Sequence, residues 1–151
     1  MTDNIYIKYA DPEDADIIAF FNYQMALETE SLELDREVVR DGVRNLIKQS
    51  DQGFYIVAKS DDALCGSLMI TKEWSDWRNG LIWWIQSVYI RPEYRKKGIF
   101  RKMYRYVLDL AKQNKIIGLR LYVEKNNAIA QQTYNALGMQ ETAYRIYEQI
   151  L

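Results

Sequence analysis

Val88-Tyr89-Ile90-Arg91-Pro92-Glu93-Tyr94-Arg95-Lys96-Lys97-Gly98-Ile99-Phe100 leads an apolar strand through a basic turn into a helix. The strand begins earlier, at Leu81, and its run LIWWIQSVYI to Ile90 is too continuously hydrophobic for a surface edge, which places it centrally in a sheet. Pro92 ends it, because proline has no N–H to give a ladder. Gly98 opens a helix to about Asn114, with Phe100, Met103, Val107 and Leu110 on one face and Arg101, Lys102, Arg105, Asp109 and Lys112 elsewhere. Strand, turn and helix start together suit a phosphate. Free N–H groups at the helix start point at the anion, the helix dipole adds positive potential, and Arg95, Lys96 and Lys97 supply charge. Taken alone, such a turn is more often simply solvated, so the rest of the chain has to decide.

Upstream, Asn4 to Ala10 alternates Ile5, Ile7 and Tyr9 against Tyr6 and Lys8, the period of a half-buried strand. Asp11 is placed to cap a helix whose first position is Pro12, with Glu13 and Asp14 where the dipole favours negative charge and Ala15, Ile18, Phe21 and Met25 as its buried stripe. After the acidic segment Glu28 to Glu33, Asp35 caps a second helix carrying Val39, Val43, Leu46 and Ile47 on one side, and Gly53 closes that region. Phe54 to Lys59 and Leu64 to Trp74 then form a hairpin around Ser60-Asp61-Asp62, and Asn79-Gly80 marks the next turn. Downstream, Gly118 to Glu124 reads as a strand, Asn126 to Leu137 as a helix stopped by Gly138, and Tyr144 to Ile150 as a last strand. The fold class is a mixed α/β domain spanning residues 1–151, a central, mostly antiparallel twisted sheet flanked by about four helices.

Composition narrows the chemistry. The 151 residues suit one domain, and 48% hydrophobic content excludes intrinsic disorder. Lys and Arg number 20 against 21 Asp and Glu, so no global field draws the protein to nucleic acid. The chain has no histidine and a single cysteine, Cys65, which excludes intrachain disulfides, Cys/His zinc sites and Ser-His-Asp or Cys-His catalysis. Any general base is a carboxylate, Lys or Tyr. The N-terminal stretch MTDNIYIKYADPED lacks an apolar signal core and no run of about 18 apolar residues occurs, so a soluble, cytoplasmic protein without a membrane partner is expected.

The basic turn and the element order resemble the GNAT superfamily of acetyl-CoA-dependent N-acetyltransferases over most of the chain. In that family a strand ending in a Val-Tyr-Val-like run and Pro leads to Q/R-x-x-G-x-G/A; here Arg95 and Gly98 are kept and Phe100 replaces the small third residue. A second signature matches Asn127 and Ala130, seven and four residues before Tyr134, followed by Gly138 and Met139. The resemblance implies that the backbone of Val88, Tyr89 and Ile90 pairs with the pantetheine of acetyl-CoA like an added strand and that its amides polarise the acetyl carbonyl. It implies that Arg95, Lys96, Lys97, Gly98, Ile99 and Phe100 hold the pyrophosphate. It further implies that Asn127 and Ala130 border the pantetheine arm and that Tyr134 faces the sulfur as general acid.

Acetyl transfer to an amine builds oxyanion charge, which oriented N–H groups stabilise, and then expels a thiolate, which needs a proton. The acceptor must first lose one, since an alkylammonium with pKa of about 10.4 is only about 0.04% neutral at pH 7, a deficit of roughly 4.6 kcal/mol. Some members of the family carry a base glutamate about where Trp84 stands; here the carboxylates at hand are Glu28, Glu30, Glu73 and Asp76, with Glu28 ranked first as base. The stretch Trp74-Ser75-Asp76-Trp77 places an acid between two indoles, a combination that binds cations. Glu30, Trp74, Asp76 and Trp84 are accordingly the candidate acceptor-binding residues. Trp83 and Trp84 alternate faces, one for the core and the other for the acceptor groove, and Cys65 reads as a small buried hydrophobe. The expected function is acetyl transfer from acetyl-CoA to a small cationic amine by direct attack. The alternatives are a protein or peptide N-acetyltransferase and a CoA-binding module without turnover. The segment Tyr144 to Ile150 either pairs across a two-fold axis in a homodimer or stays within its own sheet.

Overall fold

Alternating apolar runs and tight turns assemble the sheet of this computed structural model, which describes residues 4–151. Met1, Thr2 and Asp3, where the charged N-terminal stretch begins, lie outside the described residues. Strands β1 (Ile5–Tyr9), β2 (Gly53–Ser60), β3 (Ala63–Ser75), β4 (Gly80–Ile90) and β5 (Gly118–Leu121) stand in the order β1-β2-β3-β4-β5. The first four pair antiparallel, and β5 joins β4 in parallel after a helical crossover. Asp61 and Asn79 turn the two hairpins with positive φ, 55° and 51°, a conformation that Asp and Asn tolerate better than bulkier residues.

The helices are α1 (Ala15–Glu30), α2 (Arg36–Lys48), α3 (Ile99–Gln113) and α4 (Ala128–Ala136), and α2 and α4 begin at side-chain caps, Asp35 and Asn127. Asp35 Oδ1 accepts from the backbone N–H groups of Glu37 and Val38, as the sequence anticipates. At the first helix the expectation is corrected by a few residues: Pro12–Asp14 forms a 3-10 turn, Asp11 N–H donates to Asp14 Oδ2 at 2.8 Å, and α1 starts at Ala15. Asp14 is buried and stands 3.4 Å from Lys59 Nζ on β2, an ion pair that fixes the start of α1 to the sheet.

Two cores sandwich the sheet. On one face Ile18, Phe21 and Val43 from α1 and α2 cover Tyr55, Val57 and Tyr89; on the other Ile99, Met103 and Val107 of α3 cover Ile56, Leu68, Ile70, Trp83 and Ile85. The parity of β4 follows: Trp83 faces α3, and Trp84 faces the α1–α2 side. Gly53 begins β2 against β3, and a Cβ there would lie 2.1 Å from the carbonyl oxygen of Ile70. Gly53→Ala is therefore expected to cost about 3 kcal/mol and lower Tm by about 6–12 °C in thermal unfolding, because backbone rather than a mobile side chain must yield. A wild-type Tm would mean that the strand ends relax freely.

Two strand expectations are corrected. The run from Gly118 to Glu124 pairs only to Leu121, because β4 turns away beyond that rung and leaves Tyr122 and Val123 no partner. The run from Tyr144 to Ile150 forms no strand among the described residues: residues 140–151 are all exposed, since alternation supplies a pattern but a ladder needs an adjacent edge in register. Cys65 is fully buried, as expected, with its thiol 3.3 Å from the carbonyl oxygen of Ala58.

Candidate active site

The site begins with an irregularity in β4. Its register against β3 slips between Ser67↔Tyr89 and Met69↔Gln86, and Ser87 in the slip has φ 52°. Such a bulge kinks one strand and increases its local twist. On its other side β4 pairs with β5 only from Ile82 to Ile85. Gln86 to Ile90 thus offer an unpaired backbone edge to a wedge that opens between the two strands, the geometry an added extended chain requires. Val88, Tyr89 and Ile90, the expected pantetheine partners, lie on that edge.

The basic turn stands at the open end of the wedge. Lys96 and Gly98 adopt positive φ, 62° and 76°, and α3 starts at Ile99. No atom lies within 4 Å of where a Cβ on Gly98 would stand, so the helix start faces open space. The first N–H groups of α3 have no carbonyl within the helix to bond and are available to a diphosphate. Phe100, the departure from the small residue, turns its ring toward α4, 5.9 Å from Tyr134 and edge-on to it, and stands 6.3 Å from Tyr104. Lys97 Nζ lies 5.5 Å over the ring of Tyr94.

Arg95 is engaged elsewhere. Its Nε donates to the carbonyl oxygen of Ile90 at 2.8 Å and its guanidinium pairs with Glu28 Oε2 at 2.7 Å, lying 5.3 Å over the ring of Tyr89. The hydroxyl of Tyr89 donates to Glu28 Oε1 at 3.0 Å. Burial, then the bond to Glu28, raises the Tyr89 pKa above its usual value, which keeps that proton in place. The end of α1 is thereby tied to the open end of β4, through Tyr89, two residues beyond Ser87 in the bulge.

A second carboxylate stands at the apex of the wedge. Glu73 on β3 accepts from Trp84 Nε1 at 2.7 Å and pairs with Arg120 at 2.8 Å, and Trp84 stacks on Tyr122 with ring centroids 4.6 Å apart. Arg120 and Tyr122 carry no motif and escape sequence reasoning; their alternation with the α3-facing Leu119 and Leu121 is the only signal that would have placed them on this face. Trp84, as expected of one of the pair, is half-buried beside the wedge, while Trp83 is core.

Tyr134 lies on the α3 side, opposite Glu28. Burial holds its phenol above the ordinary pKa, so it stays protonated through neutral pH. Asn127 caps α4, its Oδ1 accepting from Ala130 N–H at 3.1 Å, and this leaves its Nδ2 donors for another group. The structure does not gather all the candidate acceptor residues. Trp74 pairs with Leu81, and Asp76 lies beyond it at the exposed hairpin tip, whereas Glu28 meets Tyr89 at the other end of β4. Eight rungs separate those ends, about 26 Å, so one ammonium cannot touch both Glu30 and Asp76. Trp77 is 87% exposed.

The open strand edge fits an extended, amide-bearing arm, and the helix start beside it fits a phosphate. Residues 16–139 match the acetyltransferase (GNAT) family, and the chain belongs to that family. A possible acetyltransferase of Clostridium difficile 630 superposes with TM-score 0.90 at 45% identity, covering 97% of each chain. A predicted acetyltransferase of Clostridium acetobutylicum, solved with acetyl-CoA, gives TM-score 0.79 at 17% identity and 96% of each chain. The ribosomal-protein-alanine N-acetyltransferase of Brucella melitensis biovar Abortus 2308 gives TM-score 0.78 at 15% identity, over 97% of this chain and 99% of that one. None of the curated proteins matches significantly. The protein is an acetyl-CoA-dependent acetyltransferase, and no helix among its described residues is long and apolar enough to cross a membrane.

Proposed function

We propose that this acetyltransferase moves the acetyl group to the primary amine of a small cationic metabolite, in the cytoplasm, as a homodimer and without a nucleic-acid or membrane partner. The observation that carries the reading is the pair of carboxylates, Glu28 and Glu73, which flank the unpaired stretch of β4 on the α1–α2 face. Arg95 and Arg120 pair with these carboxylates, so a cation is drawn to that face once Arg95 turns from Glu28 to the diphosphate, with the exposed ring of Tyr122 beside it. Asp76 and Trp74 at the hairpin tip guide approach rather than hold the reacting amine.

Acetyl-CoA supplies the acetyl thioester. Backbone N–H groups near the bulge polarise its carbonyl, Glu28 takes the ammonium proton directly or through water, and Tyr134 gives a proton to the departing sulfur from the opposite face. Attack is direct, because Cys65 is buried in the core and there is no histidine to activate it. Arg95 links the two halves of the site: on turning from Glu28 to the diphosphate, it frees the carboxylate to act as base. The reading therefore expects acetyl-CoA to bind before the amine.

The test is steady-state turnover over a panel of polyamines, aminoglycosides, amino-acid derivatives and peptides bearing free N-termini or lysines. Turnover of small amines that falls about 100-fold in Glu28→Gln supports the proposal. Turnover confined to peptides overturns the acceptor class. Tight acetyl-CoA binding with no turnover on any amine makes the protein a CoA-binding module instead.

A further inference from the structure

The Glu73–Arg120 pair on the α1–α2 face is only partly engaged. Arg120 Nη1 alone makes both bonds to Glu73, at 3.1 and 2.8 Å, and neither Nε nor Nη2 of that guanidinium bonds to any of the described residues. The Nε–Nη2 edge is a fork that takes a carboxylate through two parallel bonds. Glu73 accepts from Trp84 on Oε1, so its Oε2, bonded to Arg120 alone, has a lone pair for a further donor. The Arg120 and Glu73 side chains are 25% and 35% exposed, which leaves both open to a solute. A cation alone meets Arg120 there, and an anion alone meets Glu73. A group that carries both charges satisfies the pair without breaking it.

We propose that the acceptor is a basic amino acid held by its zwitterionic head: the α-carboxylate on the Nε–Nη2 edge of Arg120, the α-ammonium on Glu73, and the side-chain amine turned toward the bulge. This deepens the small-amine reading above and rests on it. Register gives the span. Arg120 lies opposite Trp84, and Val88 is four residues farther along β4, about 13 Å by the strand rise. An α-amine stays at the head beside its own carboxylate. The amine at the end of a lysine stem, with a contact of about 3 Å at either end, meets an acetyl group reaching in from the wedge. The floor between is uncharged: Trp84, Met69, and Gln86, whose Nε2 donates to Thr71 Oγ1 at 2.9 Å. In the transfer the side-chain nitrogen bonds the acetyl carbon and the C–S bond breaks; the ammonium proton goes to Glu28, and the sulfur takes one from Tyr134.

Steady-state turnover of lysine against two analogues, each lacking one half of the head, tests it: cadaverine has no carboxylate, and ε-aminocaproate has no α-amine. Each analogue is expected to show kcat/KM about 10–100-fold below that of lysine, the worth of one charged hydrogen-bonded contact. The product from lysine is expected to carry its acetyl group on the side-chain nitrogen, read by mass-spectrometric fragmentation. In Arg120→Gln the ratio of kcat/KM for lysine to that for cadaverine is expected to fall to within about three-fold, with calorimetric binding of acetyl-CoA reporting that the variant is folded. Equal turnover of lysine and either analogue overturns the head site and leaves the small-amine reading standing. Turnover of peptides alone, or of no amine, overturns both. A lysine preference that survives Arg120→Gln, or acetylation at the α-amine, overturns the assignment to this pair. Should the variant not fold, the analogue ratios and the position of the acetyl group with the wild type decide alone.

Discussion

Gly98→Glu is expected to weaken acetyl-CoA binding by at least about 100-fold, equivalent to about 2.7 kcal/mol, in calorimetric titration. The residue stands at the start of α3 with φ 76°, and the space around its absent Cβ is open. A carboxylate there enters the volume that the diphosphate needs, repels its charge and strains a left-handed backbone position. Gly98→Ala separates these effects, since it adds the strain, about 1 kcal/mol, without the charge. Unimpaired binding by the glutamate variant would place the diphosphate away from this helix start and remove the basis for Arg95 as a switch between Glu28 and phosphate.

Tyr134→Phe is expected to lower kcat by about 100-fold or more while leaving the KM for acetyl-CoA within a few fold. Phenylalanine keeps the packing against Phe100 and removes only the proton donor. Because burial raises the Tyr134 pKa, the donor remains protonated past the ordinary tyrosine value, so any alkaline limb of kcat due to it lies above pH 10 and vanishes in the variant. An unchanged kcat would make Tyr134 a packing residue of α4 and nothing more.

The local patterns of the candidate site are legible in the sequence. The Arg95-x-x-Gly98 turn and the spacing from Asn127 to Tyr134 are local patterns, and local patterns survive folding because they encode backbone dihedrals and helix starts. Asp35 as a cap and Gly138, with φ 96° after α4, are of the same kind. The helices shifted by only a few residues because their ends are governed by caps within one turn.

The acceptor side was not legible in this way. Glu28 meets Arg95 across 67 residues and Tyr89 across 61, and Glu73 meets Arg120 across 47. No periodicity links such positions; their meeting is set by which faces pack and in which register. The Trp74–Asp76 stretch shows the converse, standing at the hairpin end of β4. Its residues are adjacent in sequence, and adjacency conveys nothing about distance from the wedge.

The sequence by itself determined the order of the elements from β1 to α4, the mixed α/β class, and the basic turn that leads from β4 into α3, because each depends on residues within a few positions of one another. Only the tertiary structure decided that Trp83 is core and Trp84 half-buried on the opposite face, that Ser87 stands in the bulge of β4, and that Tyr144 to Ile150 forms no strand among the described residues. Those outcomes turn on strand register and on which edges remain open, and a one-residue slip reverses every face along a strand, so they are properties of the assembled sheet rather than of any segment in it.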